Sequence, residues 1–140
     1  MHVMRGMERM DTTARIWGGQ KTVSCPGRQR TDTGRAGYPG TYKDGDPVEL
    51  RLSLVRVGDI MFGGVNGEVF NLIGQRLKNE SRFARTMMVT LTNGQARSGY
   101  IPNDAAFGFN TFEVLSSRLK PGCAETSIVD GLLDLMDESK

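Results

Sequence analysis

With 140 residues, 38% of them hydrophobic, the chain can fill one core and is too short for two ordinary domains. The formal charge of +2 divides into +3 through residue 46 (8 Lys and Arg against 5 Asp and Glu) and −1 beyond it (10 against 11), so no broad basic surface for nucleic acid or an acidic membrane is encoded. No run approaches the length needed to span a bilayer, and Arg5, Glu8, Arg9 and Asp11 interrupt the place where a signal peptide needs an apolar stretch, so the chain as written is expected to be soluble and, by default, cytoplasmic.

The opening, with Met1, Met4 and Met7 and no structural pattern, reads as a false or broken start. The single histidine, His2, falls where order is not expected. Residues 17–46 are crowded with Gly18, Gly19, Gly27, Gly34, Gly37, Gly40 and Gly45, with Pro26, Pro39 and several arginines among them. Such a stretch lacks the apolar area to offset its ordering entropy, so residues 1–46 are expected to form an irregular arm. Arg28, Arg30 and Arg35 read as a solvated loop that could touch an anion; Tyr38 and Tyr42 are too sparse for a base-stacking platform.

From residue 47 the pattern changes. Val48, Leu50, Leu52 and Leu54 alternate with Glu49, Arg51 and Ser53, the period of a half-buried strand. Val55 and Val57 shift the parity, which predicts a bulge or burial on both sides. Gly58-Asp59 predicts a tight connection to a second strand over 60–65. Asn66 reads as the N-cap of a helix carrying Val69, Leu72, Ile73 and Leu77 on one face. That placement puts Glu68 in the first helical turn, where the dipole favours a carboxylate. A third strand is predicted over 86–92 and a Gly- and Asn-rich loop over 93–110; residues 112–119 fit either a strand or one helical face and end at Pro121-Gly122. A last helix over 125–137 presents Ile128, Val129, Leu132, Leu133 and Met136, at the cost of Gly131 in its interior. The expected fold is α/β, a partial mixed sheet of at least three strands with two helices, with an uncovered apolar edge that favours poor solubility.

The residues exclude several chemistries. With no histidine beyond His2, no Ser or Cys has an imidazole base, so no self-contained triad is present. Gly58 and Gly63-Gly64 lack the spacing of a phosphate-binding fingerprint. Asp44, Asp46 and Asp59 read as turn formers, and the eight methionines as core filler. Cys25 and Cys123 read as two ordinary thiols, with a single bridge between them left open.

One ordered set of motifs points further. Residues 54–59 (LVRVGD), 64–70 (GVNGEVF), 74–77 (GQRL), 89–93 (VTLTN) and 99–102 (GYIP) follow one another in the order and spacing of the late catalytic domain of neutral/alkaline non-lysosomal ceramidases, which this chain resembles over residues 25–136. The resemblance makes residues 47–140 the carboxy-terminal part of a ceramidase-like catalytic domain. In that family a catalytic zinc is held by two histidines of the amino-terminal half, a glutamate after glycine and a tyrosine in a following loop; the matching positions here are Glu68 and Tyr100. The activity implied is hydrolysis of the amide of N-acylsphingosine, or a similar N-acyl lipid, to a fatty acid and a long-chain amine. The histidines and the serine-bearing segment of the family are missing from this sequence, so zinc requires histidines from another segment, for example an amino-terminal half encoded upstream. The chain is expected to be inactive alone. The contrasting expectation is a non-catalytic binding or assembly module built from the same half-domain.

Overall fold

The computed structural model describes residues 2–7 and 9–140; Met1, on which the reading of a broken start rests, lies outside them. A short helix α1 (His2–Arg5) precedes strand β1 (Ile16–Arg30), which turns back into β2 (Tyr42–Val57) and then β3 (Ile60–Val65). There follow a two-residue strand β4 (Glu68–Val69), helix α2 (Asn71–Glu80), β5 (Arg85–Val89) and a second two-residue strand β6 (Tyr100–Ile101). A 3-10 turn (Asp104–Gly108), a short helix α3 (Phe112–Ser116) and helix α4 (Ala124–Glu138) complete the chain. The main sheet has the order β1-β2-β3-β5, antiparallel except for the parallel β3–β5 pair; β4 and β6 form a small parallel sheet of their own. The fold is therefore α/β with a mixed sheet, and among the described residues no helix is long and apolar enough to cross a membrane.

The alternation over 48–54 builds the core. Leu50, Leu52 and Leu54 point to one face, where α4 covers them with Ile128, Val129, Leu132, Leu135 and Met136. Each such side chain contributes about 1.5–3 kcal/mol of hydrophobic stabilisation when fully buried. Gly131 has a packing reason: a Cβ there would sit 2.4 Å from Leu52 Cδ1, so the bare backbone lets α4 lie directly on β2. Arg56 closes the carboxy-terminal end of α4. Its Nη1 donates to the Ser139 carbonyl at 2.8 Å, and its guanidinium rests over the Phe83 ring, placing a cation where the helix dipole favours one.

Residues 16–30 and 42–46, read as an irregular arm, are strand, and the boundary placed between residues 46 and 47 falls inside β2. The hairpin forms because β2 supplies a ladder, from Ile16 opposite Val57 to Arg30 opposite Tyr42 and interrupted at Pro26, that pairs the β1 backbone irrespective of its glycines. Its reversal is organised by Asp32, which accepts hydrogen bonds from Arg30, the Gly34 amide and the Thr41 amide. Neither the bulge nor the two-sided burial expected near Val55 is found: register is kept there, Val55 is exposed, and the register shifts instead where Pro26 opposes Asp46 and Pro47. Pro26 cannot donate to a ladder, and at an edge strand that is tolerated.

The helix expected from Asn66 starts later in the chain. Asn66 caps nothing: its Oδ1 accepts the Arg51 amide at 2.8 Å, its own amide donates to Arg51 O, and its carbonyl accepts the Ala96 amide. With both backbone groups and the side chain held by neighbouring segments, Asn66 and Gly67 form a bend, Glu68–Val69 are strand, and the helix begins at Asn71. Its buried side is Ile73, Gly74 and Leu77, while Leu72 faces outward. The Gly58-Asp59 connection, the 60–65 strand, the strand beginning near residue 86 and the final helix agree with the pattern in the sequence. Residues 112–119 resolve as α3, capped by the Thr111 side chain, followed by a single bridge from Leu119 to Gly27.

Cys25 and Cys123 form a disulfide with Cα atoms 5.7 Å apart, which replaces the reading as two free thiols. It fastens edge strand β1 to the start of α4. On the sheet face away from α4, Val57 pairs with Ile16 and Ile60, and Val55 with Phe62, which in turn pairs with Met87. Ile16, Val55 and Met87 are exposed there, so an open apolar surface lies on this face of the sheet.

Candidate functional site

Glu68 and Tyr100 are separated by more than thirty residues, yet they are register partners: β4 and β6 run parallel with Glu68 opposite Tyr100 and Val69 opposite Ile101. Neighbouring strands lie roughly 4.8 Å apart and register partners project to the same face, so the Glu68 and Tyr100 side chains leave their strands on one face. Both residues are half-buried. The helix-dipole role expected for Glu68 is overturned, because Glu68 is extended and three residues ahead of the first helical position.

The pair is held by the backbone around it. Gly67 is buried, and a Cβ on it would meet Ile101 Cδ1 at 2.5 Å, so a larger residue before Glu68 would displace the end of the Ile101 side chain. Phe70 N donates to Ile101 O at 3.0 Å, extending the β4–β6 contact by one bond. On the other side of β6, Ser117 Oγ donates to Tyr100 O at 2.7 Å, and Arg118 N donates to Ser98 O at 2.7 Å. The Tyr100 ring stands edge-on to Phe112, with centroids 6.3 Å apart. Leu91, whose amide donates to Gly67 O, has φ of +53°, a conformation that costs a branched, bulky residue of order 1 kcal/mol or more. Local strain therefore sits one hydrogen bond from Gly67, the residue before Glu68.

As donors, Glu68 and Tyr100 fit part of a zinc shell: both offer oxygen, and both belong to rigid strand backbone. Among the described residues no group of three or more His, Cys, Asp or Glu side chains is clustered closely enough to hold a metal. Two oxygen donors make half of a four-ligand shell, so a zinc held there would need its remaining ligands from outside these residues.

A second feature escaped the sequence reading. The β1–β2 hairpin and residues 115–118 enclose a cleft of about 560 Å³ whose lining includes Arg28, Arg30, Arg97 and Arg118. Arg28 is no solvated loop residue. Its Nε donates to Ser117 O at 3.0 Å and its Nη2 to Val114 O at 2.6 Å, and the guanidinium lies 3.7 Å from the Tyr42 ring centroid. Burial pulls its pKa below the ordinary guanidinium value, and neighbouring Arg30 pushes the same way, while Tyr42 partly offsets both. Arg30, by contrast, is paired with Asp32. No local motif announces this cleft, because its arginines come from three separate stretches of chain.

Comparison with family models, with curated proteins and with solved structures finds no match to this chain.

Proposed function

We propose that the chain is the carboxy-terminal part of a zinc-dependent amidohydrolase resembling the neutral ceramidases, with Glu68 and Tyr100 as two of its metal ligands. The observation that carries this reading is the β4–β6 pairing, which sets the two motif residues opposite each other although they are distant in sequence. Glu68 would contribute a carboxylate oxygen and Tyr100 a phenolate oxygen. Histidines from an amino-terminal half would complete the shell. Bound there, zinc supplies Lewis-acid polarisation of an amide carbonyl and activation of water. The residues of this chain hold and orient: Gly67 leaves room for the Ile101 side chain, and Ser117 and Phe112 fix the backbone and ring of Tyr100. The substrate class is an N-acylsphingosine or similar N-acyl lipid, with a fatty acid and a long-chain amine as products.

Co-expression with an amino-terminal half tests the reading. The assembled protein is expected to retain zinc and cleave an N-acylsphingosine, and Glu68→Ala or Tyr100→Phe to abolish both. Variants that keep wild-type zinc content and activity would remove these residues from the metal site. A non-catalytic assembly module is the competing reading, and it draws on the open apolar face carrying Ile16, Val55 and Met87. Under it the purified chain self-associates and gains no amidase activity with any amino-terminal half.

A further inference from the structure

We propose that the cleft between the β1–β2 hairpin and residues 115–118 binds a phosphate dianion through Arg28, Arg97 and Arg118. Three guanidiniums from three chain segments are brought to one place by backbone bonds: Arg28 N donates to Arg118 O at 2.8 Å, and Arg118 N donates to the carbonyl of Ser98, the residue after Arg97, at 2.7 Å. All three line the same 560 Å³ space, a volume in the range of small-molecule sites. Neither Glu68 nor Tyr100 lines it, so this reading stands apart from the metal site.

The charges in the cleft are only partly compensated. Arg28 spends its bonds on neutral carbonyl oxygens and an aromatic face, and the salt bridges among the described residues include none from Arg28, Arg97 or Arg118. One lining carboxylate, Asp46, leaves a surplus of two positive charges once the Arg30–Asp32 pair is set aside. A phosphate monoester carries about −1.5 to −2 at neutral pH and three acceptor oxygens, matching both that surplus and the approach of donors from three directions. A single carboxylate would leave charge over. Arg28 is already oriented by its two carbonyl partners and by Tyr42, so little side-chain entropy remains to be lost when the anion docks.

The phosphate could arrive free or on a lipid headgroup, and two arms separate these sources. Inorganic phosphate is titrated into the full chain at constant ionic strength, with amide chemical shifts and melting temperature as readouts; phosphatidylcholine vesicles with and without phosphatidic acid are tested by co-sedimentation. Saturable shifts and a rising melting temperature with inorganic phosphate assign a soluble phosphate; binding confined to vesicles with phosphatidic acid assigns a headgroup; either supports the site. Arg97→Ala with Arg118→Ala, both exposed and therefore compatible with folding, should weaken binding about a hundredfold, roughly tenfold for each charged contact. Arg82→Ala with Arg85→Ala, removing the same charge elsewhere, should change it little. Absence of saturable binding in both arms, or an equal loss in the Arg82 and Arg85 variant, would overturn the proposal.

Discussion

Reduction of the Cys25–Cys123 disulfide should destabilise the chain by about 4–5 kcal/mol, because the bridge closes more than half of the sequence into one loop. The two cysteines are 98 residues apart. For a loop of that length the chain-entropy relation gives a loss of about 16 cal/mol/K, or ~4.7 kcal/mol at 25 °C. The folded side of the equilibrium should change little: Cys25 is buried between β1 and α4, and Ser127 Oγ lies 3.9 Å from its sulfur and 3.5 Å from that of Cys123, so two thiols would keep the same neighbours. At about 3 °C per kcal/mol for a chain of this size, the melting temperature should fall by roughly 15 °C. Urea unfolding and thermal melts followed by circular dichroism, with and without reductant, measure the difference. Non-reducing peptide mapping identifies the bridge. Coincident melts of a chain shown to carry the disulfide would refute the loop-entropy reasoning, and two free thiols after oxidative purification would refute the pairing itself.

Gly27→Ala should cost at least ~3 kcal/mol, because the new Cβ would lie 1.9 Å from the backbone oxygen of Asp46 across the bulge, where no side chain can yield; chemical denaturation should show it, and wild-type stability would contradict the register described there. Acid should loosen the hairpin reversal before the core. Asp32 has its pKa held well below the ordinary carboxylate range, first by Arg30 and then by the Thr41 amide, so its contribution is fully present above the unfolded value near ~3.9 and is lost as pH falls through the lower folded value. Hydrogen exchange at the Gly34 and Thr41 amides should therefore rise in acid ahead of exchange at Leu52; equal rates throughout would contradict it.

The parts of the fold visible in the sequence are those whose burial is regular. In β2 the helix-facing positions are Val48, Leu50, Leu52 and Leu54, so its own residues state its period. In β1 the corresponding positions are Trp17, Gly19, Lys21, Val23 and Cys25, and Lys21 reaches out to Asp134 at 2.8 Å. No periodicity remains to detect, and the strand exists because β2 offers it partners. Asn66 shows the same override: its residue type suits an N-cap, but Arg51 and Ala96 claim its hydrogen-bonding groups. Cys25 and Cys123 carry no local signal of pairing at all. Glu68 and Tyr100 were legible as motif residues, whereas their adjacency depends on two short strands that neither segment would form alone.

The central claim, that this adjacency serves a metal, is tested most directly by a zinc titration of the chain assembled with an amino-terminal half, followed through the near-ultraviolet absorbance of ionised tyrosine. The chain has three tyrosines, Tyr38, Tyr42 and Tyr100. One phenolate of this chain should form per zinc bound, with the signal lost in Tyr100→Phe and retained in Tyr38→Phe and Tyr42→Phe. Stoichiometric zinc binding with a phenolate signal unaffected by Tyr100→Phe would contradict it.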